Sequence, residues 1–87
     1  MRMLDVLRDL VDESNVFFAD ELPALLDDNS IAWRREHEFF IGDFYCLIIE
    51  INDEYFQFNE DERMRNILDV IQVKPNLVTK TEYIEVT

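Results

Sequence analysis

Apolar residues at the start of the chain recur at helical spacing. Met3, Leu4, Leu7, Leu10 and Val11 form one stripe, and Asp5, Asp9 and Asp12 fall opposite. This predicts a helix over 2–13, ended by Ser14-Asn15. Asp20 is the natural N-cap for a short second helix. Pro23 is tolerated in its first turn, and Leu22, Leu25 and Leu26 give it a buried side. Asp27-Asp28-Asn29-Ser30 then reads as a turn.

The period changes after residue 30. Ile31, Trp33, His37, Phe39 and Ile41 share one parity, which predicts a strand, and Gly42-Asp43 is a turn signal. Residues 44–51 are apolar on both parities: Phe44, Cys46 and Ile48 on one, Tyr45, Leu47, Ile49 and Ile51 on the other. That pattern marks a central strand covered on both faces. Asn52-Asp53 suits a two-residue hairpin turn, because Asn and Asp tolerate positive φ. Glu54 to Phe58 continues as a third strand. Asn59 followed by Glu62 resembles a capping box, and Met64, Ile67, Leu68 and Ile71 make a stripe that predicts a helix ending at Lys74-Pro75-Asn76. Leu77 to Val86, rich in Thr, Val, Ile and Tyr, predicts a last strand.

The expected architecture is a single α+β domain over 1–87, in the order α-α-β-β-β-α-β. Two N-terminal helices lead into a three-stranded antiparallel meander, followed by one helix and a C-terminal strand joining a sheet edge. The expected core is Leu4, Leu7, Val11, Trp33, Leu47, Ile49, Phe56, Phe58, Ile67, Leu68 and Ile71.

Composition narrows the function. The chain has 87 residues, with 20 Asp and Glu against 8 Lys and Arg, for a net charge of -12. Its 48% hydrophobic content excludes a wholly disordered acidic tail. The charge repels phosphate, so direct contact with nucleic acid or an anionic membrane is not expected. Cys46 is the single cysteine, which excludes an internal disulfide and fits a reducing, cytoplasmic setting. Asp5, Asp9 and Asp12 interrupt what a signal peptide would need to keep apolar. The longest apolar run, Phe44 to Ile49, is far below the ~20 residues that span a bilayer.

Chemistry-bearing patterns are sparse. His37 is the single histidine, and its parity with Trp33 and Phe39 suggests a half-buried structural role rather than a base. Ser14 and Ser30 sit in no glycine-rich elbow. There is no Cys pair, no His pair at helical spacing and no glycine-centred calcium loop. Nor is there a phosphate-cradling glycine loop. Arg34-Arg35 beside Trp33 is followed at once by Glu36 and Glu38, which points to cross-strand ion pairing. The expectation is a protein without catalytic residues, metal or cofactor.

The charge pattern is the informative feature. Residues 43–62 carry Asp43, Glu50, Asp53, Glu54, Glu60, Asp61 and Glu62 and no Lys or Arg. Residues 1–28 carry eight acids against Arg2 and Arg8. Carboxylates at i and i+4 on a helix stand about 5–6 Å apart, which is on the scale of neighbouring phosphates along a nucleic-acid strand. The expected partner is therefore a basic, nucleic-acid-handling protein such as a nuclease, whose phosphate-binding surface the acids would occupy. The candidate binding residues are the hairpin-turn group Glu50, Asp53 and Glu54 and the group Asp43, Glu60, Asp61 and Glu62. Asp5, Asp9 and Asp12 on the first helix come next. The hairpin-turn group ranks first because crowded carboxylates there have no helix dipole to stabilise them. Such a chain is expected to be a monomer or weak homodimer.

The size and charge are similar to those of phage-encoded host-defence inhibitors and nuclease immunity proteins. The expected layout is similar in outline to some small anti-CRISPR proteins, without a shared motif, so no family is assigned. The competing reading is an accessory subunit that binds through an edge strand and apolar surface, its acidity serving solubility or a halophilic surface.

Overall fold

A computed structural model describes residues 2–14, 19–61, 63 and 66–86, and for 66–68 the backbone alone. Helix α1 spans Met3–Ser14, a 3-10 turn covers Ala19–Glu21, and α2 spans Leu22–Asp28. Five strands follow: β1 Arg34–Ile41, β2 Phe44–Ile51, β3 Glu54–Asp61, β4 Asn66–Pro75 and β5 Tyr83–Glu85. They form one antiparallel sheet in chain order.

The expected order of elements is corrected at its C-terminal half. Among the described residues no helix follows the third strand; residues 66–75 form β4, paired with β3 from Tyr55↔Val73 to Asp61↔Asn66. A helix built on the Met64, Ile67, Leu68, Ile71 stripe would turn Val70 and Val73 towards water. The strand buries both. It also satisfies the outer backbone edge of β3, and its β-branched residues favour a pleated surface. The expected capping residue Asn59 lies within β3, where its side chain accepts a bond from Gln57 Nε2 at 2.9 Å. Glu62, the other half of that box, falls outside the described residues. With the post-meander helix absent, the outline likeness to small anti-CRISPR proteins also falls away.

The expected last strand shrinks to β5. After Pro75, the Asn76 side-chain oxygen accepts the Val78 and Thr79 N–H groups, and its backbone carbonyl accepts that of Lys80. This asparagine-centred turn competes with strand pairing and leaves Leu77 and Val78 exposed. The second helix is also capped otherwise than expected. Its N-cap is Glu21, without a side-chain cap bond, because Asp20 lies inside the preceding 3-10 turn.

Two tight turns set the meander. Asn52 and Asp53 both take positive φ, 52° and 67°, joining β2 to β3 with Ile51 opposite Glu54. Gly42 takes φ 58° between β1 and β2. A bulge between Arg35 and His37 shifts the register. It sends Arg35 to one face, opposite Ile49, and His37 to the other, opposite Ile48. This separates His37 from Trp33, which packs against the helix-side core. The expected half-burial of His37 is corrected accordingly: the residue is exposed.

The helices cover one sheet face. Leu4, Leu7 and Val11 of α1 and Leu22 and Leu26 of α2 pack with Leu47, Ile49, Ile51, Phe56, Phe58 and Val70. Trp33 lies half-buried at the margin, Ile71 is half-buried on the other face, and the side chains of Ile67 and Leu68 are not among those described. Among the described residues no helix covers the opposite face, yet Cys46, Ile48 and Val73 are buried there. The cause is curl. Strands β1 and β5 stand at opposite ends of the strand order, yet Tyr83 Oη lies 3.3 Å from Glu36 Oε1 and the Tyr83 ring stacks 6.1 Å from that of His37. The sheet wraps on itself and shields its own inner face.

Candidate functional site

The expected acidic clusters are positioned by the meander, and most of their members are engaged within the molecule. At one end of the sheet, Asp43 sits in the β1–β2 turn and Asp61 at the end of β3, opposite Phe44. Arg63 brings these two together, its Nε 3.5 Å from Asp43 Oδ2 and 3.5 Å from Asp61 Oδ1. Asp61 is buried and also accepts the Arg63 backbone N–H at 2.9 Å. Glu60, one residue earlier, points to the helix side, and its Oε1 accepts the Ala19 N–H at 2.7 Å. The amide that holds Glu60 opens the 3-10 turn, and an arginine holds Asp43 and Asp61. Glu62 is not among the described residues.

At the other end, Glu50 and Glu54 lie on opposite faces of the sheet, since Glu50 pairs with Tyr55 and Glu54 with Ile51. Alternation along the strands thereby separates Glu50 from Glu54, while Asp53 stays beside Glu50. Glu50 accepts the Asp53 backbone N–H at 3.0 Å and Arg34 Nε at 3.2 Å. The bond from Asp53 first, and Arg34 after it, holds the Glu50 carboxyl below its usual range. Arg34 thus makes a cross-strand pair. It also stands 2.9 Å from Glu36 Oε2, and its guanidinium is held more firmly protonated by Glu50 and Glu36. Glu54 accepts a bond from Gln72 Nε2 at 2.8 Å. Asp53 is exposed and has no ion pair or side-chain hydrogen bond among the described residues.

The helix layer differs. Asp9, Asp12 and Glu13 are exposed on α1, with no ion pair or side-chain bond among the described residues. Asp20, Glu21 and Asp28 are likewise exposed, and Asp27 accepts the Trp33 indole N–H at 3.0 Å. Both arginines of this layer are committed: Arg2 pairs with Asp5 at 3.4 Å, and Arg8 Nε donates to the Val70 carbonyl at 3.0 Å. Among the described residues of this layer, exposed carboxylates therefore outnumber the two arginines.

The inner sheet face holds the residues that sequence reasoning missed. Phe39, Ile41, Ile71, Val73 and Tyr83 line a groove of about 510 Å³ there. The doubly apolar pattern of 44–51 signalled that both faces are covered; nothing local signalled that β5 would close over the second. Cys46 lies buried on this face, and burial pushes its thiol up from the ordinary value. Among the described residues, no three His, Cys, Asp or Glu side chains gather as a metal-binding group. No described helix is long and apolar enough to cross a membrane.

Compared with protein families, with curated proteins and with solved structures, the chain gives no match in any of the three.

Proposed function

We propose that this protein is a non-enzymatic binding protein of the inhibitor type, one that docks on a basic, nucleic-acid-binding surface of a partner protein in a reducing, cytoplasmic compartment. The observation that carries the reading is the outer surface of α1 and α2. Asp9, Asp12, Glu13 and Asp28 are exposed there, with Asp20 and Glu21 exposed in the 3-10 turn between, while Arg2 pairs with Asp5 and Arg8 Nε donates to the Val70 carbonyl. Carboxylates one helical turn apart on a rigid support attract a groove built for phosphates and speed association with it. The hairpin-turn acids take second place. Glu50 and Glu54 already have intramolecular partners, so a partner's cation must compete for them, and Asp53 is the free member of that group. The protein acts as a monomer or weak homodimer.

The test is capture of partners by the immobilised chain from a lysate of its native host, followed by titration of the complex with salt. Affinity should fall steeply as salt is raised through the range where the Debye length shrinks from about 10 Å to about 3 Å. The triple variant Asp9→Asn, Asp12→Asn, Glu13→Gln should weaken binding and flatten that dependence more than Asp53→Asn with Glu54→Gln. Binding indifferent to both salt and the triple variant refutes the reading. It would favour docking through apolar surface, such as the exposed Phe40, Ile41 and Phe44 of the β1–β2 hairpin.

A further inference from the structure

The sheet face turned away from the helices carries a second feature, independent of the acidic helix surface. Its groove of about 510 Å³ is within the size range of small-molecule sites. Phe39 and Ile41 of β1 and Ile71 and Val73 of β4 make its apolar wall, and Gln57 of β3 contributes an amide. A second depression of about 360 Å³ shares Ile41 and Gln57 and continues past Phe44 and Cys46 to Asn59 and Asp69. The two form one apolar channel with sparse polar groups, the usual make-up of a ligand site.

Among the described residues, the charged groups lining this channel are carboxylates: Glu82 and Glu85 near β5, and Asp69 on β4. Among the described residues neither depression is itself lined by Lys or Arg; Lys80 lines an adjoining hollow of about 250 Å³ whose other walls, His37, Thr81 and Tyr83, also line the larger groove. The rings of His37 and Tyr83 add π-faces beside the Glu82 and Glu85 end. The channel is also open to entry. Strands β1 and β5 share no ladder, and the contacts between them include the Tyr83–Glu36 hydrogen bond and the His37–Tyr83 stack.

We propose that this channel binds a small amphiphilic organic cation. Its apolar body lies on Phe39, Ile41, Ile71 and Val73, and its ammonium group sits at Glu82 and Glu85 beside the aromatic rings. An anion of the same shape would meet Glu82, Glu85 and Asp69 in the channel, with Lys80 only in the adjoining hollow, on a chain of net charge -12. A cation gains both the carboxylates and the ring faces. A second copy of the chain is a poorer occupant, because two such charges repel.

The experiment titrates the full chain at neutral pH with three probes of equal length, octylamine, octanoate and 1-octanol, followed by amide chemical shifts. Octylammonium should saturate with an affinity on the order of tenfold above octanoate, the combined effect of attraction and repulsion at exposed carboxylates. The shifts should centre on Gln57, Ile71, Val73 and Tyr83. The double variant Glu82→Gln, Glu85→Gln should bring octylamine down to the affinity of octanol. Both positions are exposed, so the fold should tolerate the change. Ile71→Trp should fill the channel and abolish binding of all three probes; if it fails to fold, the glutamine variant decides. Three results would overturn the proposal. Octanoate could bind as tightly as octylamine. Octylamine shifts could fall on Asp9 and Asp12 rather than in the channel. Sedimentation could show a dimer that buries the channel without any ligand. Because the channel and the acidic helix surface are on opposite sides of the sheet, failure here leaves the partner-docking reading standing.

Discussion

Adjacent residues Ile48 and Ile49 offer the sharpest test of the curl. Both are fully buried, but they point to opposite sheet faces. Ile49 packs under the helices with Phe56. Ile48 is opposite His37 and Gln57 on the inner face, which no described helix covers. In a flat sheet with helices on one side, Ile48→Ala would be nearly neutral. In the curled sheet both substitutions leave a hole. Truncation to alanine removes three carbons, about 2.4 kcal/mol of transfer free energy at ~0.8 kcal/mol each. A cavity contribution brings the total to about 3–4 kcal/mol. With a urea m-value of about 1.5 kcal/mol/M, that is a midpoint shift of about 2–2.7 M. Trp33, half-buried against the helix-side core, is the fluorescence probe. If either alanine variant is unfolded, the Ile→Val pair, at about 0.5–1.5 kcal/mol each, makes the same comparison. A loss for Ile49 with an unshifted midpoint for Ile48 would refute the self-shielding of the inner face.

Three further outcomes are expected. The Glu50 carboxyl is held below its usual pKa by the Asp53 amide and Arg34. Its contribution is therefore present above the unfolded value of about 4.3 and is lost as pH falls through the lower folded value. The thermal midpoint of Glu50→Gln should change less than wild type on acidification through that window, and parallel curves would count against the paired Glu50. Gly42→Ala should cost about 1 kcal/mol from its positive φ alone, since an added Cβ meets nothing within 4 Å; an unchanged urea midpoint would contradict that turn geometry. Cys46, buried with a raised pKa, should react with a thiol reagent far more slowly in the native protein than in urea, and equal rates would place it at the surface.

Local pattern was enough for several elements. The α1 stripe, the two hairpin turns and the doubly apolar β2 each depend on neighbours within a few residues, so helix spacing, positive-φ tolerance and parity revealed them. Segment 66–75 could not be assigned that way. Ile67, Leu68 and Ile71 suit a helix stripe, while Val70 and Val73 suit a strand, and the choice was made by distant groups: the unpaired edge of β3 and the burial that pairing gives both valines. The Arg35/His37 bulge likewise broke a parity that looked continuous in the chain.

The candidate surfaces divide on the same line. The sequence determined the number and order of the acids, and on α1 that suffices, because helix geometry alone places Asp9, Asp12 and Glu13 in water. Elsewhere the tertiary structure decided which carboxylates remain available. Glu60 meets an amide 41 positions away, Glu54 meets Gln72, and Arg34 reaches Glu50 across a ladder. The channel has no sequence signature, because its walls come from both ends of the strand order and exist only once β5 closes towards β1. Local interactions fix an element through its own backbone and nearest side chains. A partner or a cavity made by residues tens of positions apart depends on which strands pair and how far the sheet curls, and those are settled by the free energy of the whole fold.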